Sequence, residues 1–121
     1  MRFLGARLDV PDLMRACDLF VLSSSREGLS VTLLEAMRAS RATLATAIGG
    51  NAEAVADGVN GRIVPGRDRP FGAALAEMLA DRAALTAWGE AGHRRWRELF
   101  TAERMVGTTE DLYRKVLARG A

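Results

Sequence analysis

Two glutamates, Glu27 and Glu35, bracket the start of a predicted helix, and their chemistry suits a ligand with both hydroxyls and phosphate. A carboxylate is a strong two-oxygen acceptor for the paired hydroxyls of a hexose or a ribose. Gly28 lacks a β-carbon, so a ligand can approach its backbone closely. The helix begins near Ser30, and the free amides of Leu29–Val31 could point at a diphosphate. This arrangement suits a nucleotide sugar, although such glutamate pairs also occur by chance on many solvated helices.

The elements that position this stretch alternate between strands and helices. Leu19–Leu22 is a continuous apolar run, as expected of a strand buried on both faces, and a polar loop of residues 23–28 connects it to the helix. Further strands are predicted at Thr43–Thr46 and Arg62–Val64, and the run Arg2–Leu4 predicts a fourth at an exposed sheet edge. The order indicates an α/β fold, a Rossmann-like parallel sheet flanked by helices. In such folds, ligands bind at the carboxyl ends of the strands.

Helices account for most of the remaining chain. The first is predicted over Val10–Cys17, and we expect Asp9 to cap it and Ser30 to cap the helix after the polar loop. A short helix ends near Val55, and the closing helices are predicted at about residues 70–79, 82–99 and 101–117. Three of their side chains are expected in the core: Leu85, Trp88 and Leu99.

Length, charge and cysteine content narrow the class of protein. The 121 residues fit one domain, and a net charge of +2 with a pI of 9.3 gives little reason to expect binding to nucleic acid. Cys17, the single cysteine, permits no internal disulfide and no cysteine metal cluster, and its apolar neighbours favour a buried thiol over a nucleophile. No apolar run approaches a bilayer span and no signal-peptide pattern is present, so we expect a cytoplasmic location.

A basic and aromatic cluster at His93–Arg97 allows two interpretations. It could contact the inner face of an anionic membrane peripherally. We favour the alternative, an arginine-rich solvated surface with Trp96 packed inward. For His93, the sole histidine, a surface or helix-end role is favoured over catalysis, because it lies far along the chain from the glutamates.

A signature of two glutamates separated by seven residues occupies Glu27–Met37, and it resembles that of a large family of retaining glycosyltransferases. These are the family 4 enzymes, or glycosyl transferases group 1, of the B-fold class. Further motifs follow at the family's spacing: Gly49-Gly50-Asn51, Asp57-Gly58, Asn60-Gly61 and Ile63-Val64-Pro65. Upstream, Phe3-Leu4-Gly5 and Leu13–Val21 resemble the strand–helix–strand before the signature, and Phe100–Arg104 with Leu112–Leu117 resembles the family's closing helix.

The resemblance implies a role for each residue of the signature. Glu27 would contact the hydroxyls of the donor sugar at the catalytic centre, and Glu35 would bind the ribose hydroxyls. The amides from Gly28 to Val31 would hold the diphosphate. The loop Gly5–Arg7 would run alongside the nucleobase and contact it through backbone atoms. The implied donor-binding set is Gly28, Leu29, Ser30, Val31, Glu35 and Arg7. The family needs no bound metal and no cofactor besides its nucleoside-diphosphate-sugar substrate.

Three positions depart from the family pattern. The family usually has glycine where Ser40 stands and proline where Ala42 stands, so a left-handed turn at residue 40 would be strained. Ser30 replaces the family's usual glycine or proline. Gly49–Gly50 is either a plain turn or lies near the donor sugar, and the sequence favours neither alternative.

The resemblance also implies that two parts of the family's structure have no counterpart in the 121 residues. One is the acceptor-binding N-terminal domain. The other is the first part of the donor domain, which brings an Arg and a Lys to the phosphates. We expect a single partial domain, residues 1–121, with closing helices at about 70–119. It would bind a nucleotide-sugar donor and need an unknown acceptor and a missing domain or separate chain for hexosyl transfer. Two alternatives stay open: a non-catalytic nucleotide-binding module and a truncated gene product.

Overall fold

Three parallel strands form one sheet in the computed structural model, which describes residues 1–120. Their order in the sheet follows the chain: β1 (Leu19–Leu22), β2 (Ala42–Thr46) and β3 (Gly61–Val64). β2 pairs with both neighbours, so that Leu22 lies beside Ala45 and Thr46 lies beside Val64. All five residues of β2 are buried, as expected of a central strand covered on both faces. The predicted parallel α/β architecture is confirmed.

Helices cover both faces of the sheet. They are α1 (Val10–Ala16), α2 (Val31–Arg38), α3 (Asn51–Ala54), α4 (Arg69–Ala80), α5 (Arg82–Leu99) and α6 (Ala102–Gly120). One core cluster joins β2 and β3 to α4 and the first half of α5, with Leu44, Phe71 and Met78 at its centre. The other joins β2 to α2 and α3, with Leu33 and Met37 at its centre. The sheet is therefore the middle layer of three.

The turn between α2 and β2 departs from ordinary backbone geometry at Ser40. Its φ is 58°, in the left-handed region, and it is the only non-glycine residue among those described with a positive φ. The left-handed turn considered at this position is therefore present, in a conformation that disfavours a side chain. Gly89 of α5 lies directly against this turn. A β-carbon on Gly89 would stand 2.2 Å from the Ser40 carbonyl oxygen.

The prediction of a fourth strand at Arg2–Leu4 is wrong. The segment has no ladder partner among the described residues, and the Phe3 side chain is 90% exposed. A strand needs a neighbour for its backbone hydrogen bonds, and within residues 1–120 β1 pairs only with β2. An apolar run alone does not supply that neighbour.

Two of the predicted helix caps are also wrong. Asp9 and Ser30 occupy the cap positions of α1 and α2, but neither side chain accepts a helix amide. Asp9 instead binds Arg7, and the Ser30 hydroxyl lies 2.9 Å from that of Thr32. In both cases a neighbouring side chain competes for the capping oxygen.

The expected core residues of α5 are confirmed in part. Leu85 is buried in the first cluster, and Trp88 packs against that cluster half-buried. Leu99 is 39% exposed, so its assignment to the core is wrong. Trp96 is half-buried against the second cluster, which confirms that it packs inward. The buried residues of α5 are thus those on the face that packs against the core.

Candidate functional site

The Glu27 carboxylate is held at the carboxyl end of the sheet. Its Oε1 accepts a hydrogen bond of 2.7 Å from the hydroxyl of Ser24, in the loop that leaves β1. The Ser24 carbonyl oxygen in turn accepts a bond of 2.8 Å from the hydroxyl of Thr46, the last residue of β2. Thr46 is fully buried. Two neighbouring strands therefore fix the loop that carries Glu27.

The Gly49–Gly50 turn lies against the same loop. The Gly50 amide donates a bond of 2.7 Å to the Gly28 carbonyl oxygen. Gly49 has a φ of 53°, and a β-carbon on it would stand 2.0 Å from the Glu27 carbonyl oxygen. Only glycine allows two backbones this close in this conformation. The Gly49–Gly50 turn is therefore in direct contact with the candidate loop. Its position near the donor sugar stays a prediction.

A cluster of backbone amides follows Gly28 at the start of α2. Within residues 1–120, no hydrogen-bond acceptor is found for the amides of Leu29, Ser30 and Val31. The positive end of the α2 dipole adds to these three donors. Leu29 and Val31 are 39% and 68% exposed, whereas Ser30 between them is buried. Such a group of free donors is suited to an anion.

Glu35 lies on a different part of α2. Its exposed side chain lines a cavity of about 630 Å³ between α1 and the C-terminal half of α2. Three arginines also line it: Arg15, Arg38 and Arg41. Neither Glu27 nor the amide cluster lines this cavity. The two glutamates of the signature therefore face different surroundings in this structure.

Arg7 forms an ion pair with its neighbour Asp9 rather than a contact with the other candidate residues. Its guanidinium binds the Asp9 carboxylate through two nitrogens, one of them 2.6 Å from Asp9 Oδ1. This hydrogen bond raises the pKa of Arg7 and lowers the pKa of Asp9. Both residues are exposed enough for solvent to screen the pair. The loop turns at Gly5, whose φ is 67°.

Other features of the sequence lie away from this loop. His93 Nδ1 is 2.8 Å from the Arg38 carbonyl oxygen, and its ring packs near that of Trp96. Cys17 is half-buried rather than fully buried, and its thiol donates to the Met14 carbonyl oxygen at 3.3 Å. Across residues 1–120, no three potential metal-ligating side chains come together. In the same range, no helix combines the length and apolar character that crossing a bilayer requires.

The hydroxyls of Ser24 and Thr46 were not singled out from the sequence. Thr46 lies 22 residues beyond Ser24, so nothing local predicts their contact. The signal that was present is modest: a small hydroxyl side chain stands three residues before a loop glutamate, a common local hydrogen-bond pattern.

Comparison with known proteins identifies the relatives of this chain. A family model described as glycosyl transferases group 1 matches residues 1–81. The alpha-maltose-1-phosphate synthase of Mycobacterium tuberculosis is 33% identical over 114 residues, which cover 88% of this chain and 30% of that protein. The D-inositol 3-phosphate glycosyltransferase of Geodermatophilus obscurus is 38% identical over 100 residues, 82% of this chain and 21% of that protein.

Solved structures share the fold. The sucrose-phosphate synthase of Thermosynechococcus elongatus superimposes with a TM-score of 0.80 at 30% identity over 88% of this chain and 27% of its own. Anabaena HepE in complex with UDP also gives a TM-score of 0.80, at 28% identity over 98% of this chain and 32% of its own. The chain thus spans less than a third of the length of these four proteins.

Proposed function

The chain belongs to the glycosyl transferases group 1 family, and we propose that it forms part of the donor site of a retaining, nucleotide-sugar-dependent glycosyltransferase. The observation that carries this proposal is the pairing at one loop of a fixed carboxylate, Glu27, with amides of residues 29–31 for which residues 1–120 offer no acceptor. A carboxylate suits sugar hydroxyls, and helix-start amides suit a diphosphate. HepE, which covers nearly all of this chain, has been solved with UDP and with UDP-glucose.

Each group of the proposed site has one task. Glu27 binds hydroxyls of the hexose, and the amides of Gly28 to Val31 bind the diphosphate and stabilise it as it leaves. Glu35 binds the ribose at the cavity between α1 and the C-terminal half of α2, which Glu27 does not line. The loop that contains Arg7 runs alongside the nucleobase. Because amides and the helix dipole compensate the phosphate charge, we propose that binding requires no metal. The affinity should then be the same in EDTA and in Mg²⁺.

Hexosyl transfer requires an acceptor to reach the anomeric carbon of the bound donor. The residues assigned above are all donor contacts, and the chain spans less than a third of its relatives. We therefore propose that the 121 residues bind the donor as a partial domain but do not transfer sugar alone. Incubation with UDP-, GDP- or ADP-hexoses and an acceptor panel should give no product, and measurable transfer would contradict this.

Calorimetry with UDP, GDP and ADP tests the assignment of Glu35. Glu35→Ala should weaken the preferred nucleotide about tenfold, because a charged acceptor for ribose hydroxyls is lost. Glu98→Ala is the matched control, since it removes an exposed glutamate on α5. The 2′,3′-dideoxy form of the nucleotide should bind wild type and Glu35→Ala equally. Equal binding of the intact nucleotide by wild type and Glu35→Ala would remove Glu35 from the site.

A further inference from the structure

We infer that Ser24 is a positioning residue for the Glu27 carboxylate and that Thr46 anchors Ser24 from the central strand. The inference deepens the proposed function and rests on it, because it concerns how tightly the loop binds the hexose part of the donor. It assigns a task to two hydroxyls that do not belong to the two-glutamate signature. It also accounts for the way the loop is tied to β2.

The contact between Ser24 and Glu27 leaves half of the carboxylate available. The Ser24 hydroxyl donates to Oε1 at 2.7 Å, within the normal range for a bond to a charged acceptor. Glu27 Oε2 has no hydrogen-bond partner among residues 1–120. One oxygen is thus restrained by the protein, and the other can accept from a ligand hydroxyl.

Ser24 is itself fixed through its main chain. Its carbonyl oxygen accepts from Thr46 Oγ1 at 2.8 Å, and the Thr46 carbonyl oxygen accepts from Asn51 Nδ2 at 3.2 Å. Thr46 and Asn51 are both fully buried. The position of Ser24 is therefore fixed by hydrogen bonds from buried residues at the end of the central strand.

The main chain at Glu27 is restrained independently. The Gly49–Gly50 turn packs closely against the Glu27 carbonyl oxygen, and the Gly50 amide donates to the Gly28 carbonyl oxygen. With the backbone fixed by the turn, the remaining freedom of the carboxylate lies in the three side-chain torsions of Glu27. The Ser24 hydroxyl restrains those torsions, so it lowers the entropy lost when the hexose binds.

Substitutions at Ser24 distinguish its side-chain hydrogen bond to Glu27 from the hydrogen bond that its carbonyl oxygen accepts from Thr46. Ser24→Ala removes the hydroxyl but keeps the carbonyl oxygen that accepts from Thr46, so the loop should retain its path. Ser24→Thr keeps a hydroxyl at the same position and should restore the wild-type behaviour. Ser25→Ala is the matched control, because Ser25 is an exposed neighbour for which no side-chain hydrogen bond is found within residues 1–120.

The first measurement is the affinity gained from the hexose. Calorimetry compares UDP with UDP-glucose, and the GDP and ADP pairs likewise, for wild type, Glu27→Gln and the three serine variants. Ser24→Ala should reduce the ratio of hexose-conjugate affinity to diphosphate affinity by about tenfold while leaving diphosphate affinity unchanged. A ratio lost in Glu27→Gln but retained in Ser24→Ala would overturn the inference and leave the proposed function intact. An equal ratio in wild type and Glu27→Gln would overturn the assigned role of Glu27 itself.

The second measurement needs no ligand. Three-bond NMR couplings report whether the Glu27 side chain occupies one χ1 rotamer or averages over several. Wild type, Ser24→Thr and Ser25→Ala should show one rotamer, and Ser24→Ala should show averaging. Averaging in the wild type, or a single rotamer in Ser24→Ala, would overturn the positioning role whatever the titrations give.

Discussion

The Gly50 amide and the Gly28 carbonyl oxygen are joined across 2.7 Å, which links the turn after β2 to the loop after β1. This bond brings two segments of the family pattern into contact at the carboxyl end of the sheet. The same end holds Glu27, Ser24 and Thr46. The candidate site is therefore one connected structure at the carboxyl end of the sheet.

Gly49→Ala should destabilise the protein more than a comparable glycine replacement. Both the left-handed φ and the position of an added β-carbon, which would stand 2.0 Å from the Glu27 carbonyl oxygen, disfavour alanine. We expect the free energy of unfolding to fall by about 2–4 kcal/mol in urea denaturation. Gly58→Ala is the control, since Gly58 has a φ of 73° but no atom within 4 Å of a β-carbon. Its loss should be about 1 kcal/mol, and equal losses in the two variants would contradict the close contact.

Ser40→Gly should stabilise the protein. The φ of 58° at Ser40 disfavours any side chain, and glycine removes that strain at the cost of greater freedom in the unfolded chain. A net gain of about 0.5–1 kcal/mol in the free energy of unfolding is expected. Ser25→Gly, at an exposed position without a positive φ, should give no gain. A loss of stability in Ser40→Gly would show that the serine is not strained.

Cys17 should react slowly with iodoacetamide in the folded protein. Its partial burial raises the pKa of the thiol, although the nearby Arg41 acts in the opposite direction. The thiolate is the reactive form, so less of it is present at pH 8 in the folded chain than in urea. The rate in the folded state should therefore rise at a higher pH than in the unfolded state. Coincident pH profiles for the two states would contradict the effect of burial.

Removal of α6 should leave the sheet and its packing intact. Residues 102–119 are all exposed, including Met105 at 65% and Leu117 at 73%. They contribute no member to either core cluster. A chain that ends at Thr101 should keep its urea midpoint within experimental error, because little buried area is lost. A clearly lower midpoint would show that α6 supports the core.

Sequence patterns predicted the three strands of the sheet, but they did not predict correctly whether a fourth segment pairs or how two helices are capped. Leu19–Leu22 was correct because a continuous apolar run is strong information about a buried strand. The strand predicted at Thr43–Thr46 is present and begins one residue earlier, at Ala42. Arg2–Leu4 was wrong because a strand depends on a neighbour that an apolar run does not specify. The caps at Asp9 and Ser30 were wrong because nearby side chains compete for their oxygens.

The candidate site was predicted only as far as local sequence reaches. The loop glutamate, Gly28 and the start of the helix follow directly from a strand–loop–helix pattern. The contacts from Thr46 and Gly50 come from the next strand and its turn, at separations of 22 residues along the chain. These depend on the parallel pairing of β1 with β2, which the sequence implies as a fold but not atom by atom.

Amide chemical shifts during a titration test the proposed donor site most directly. The ¹⁵N-labelled chain is titrated with UDP-glucose, and with GDP- and ADP-glucose in parallel. The amides of Leu29, Ser30 and Val31 should shift first and furthest with at least one of these ligands, because they contact the diphosphate. Saturable binding that shifts residues elsewhere and leaves these three unchanged, or no binding by any of the ligands, would contradict a donor site at this loop.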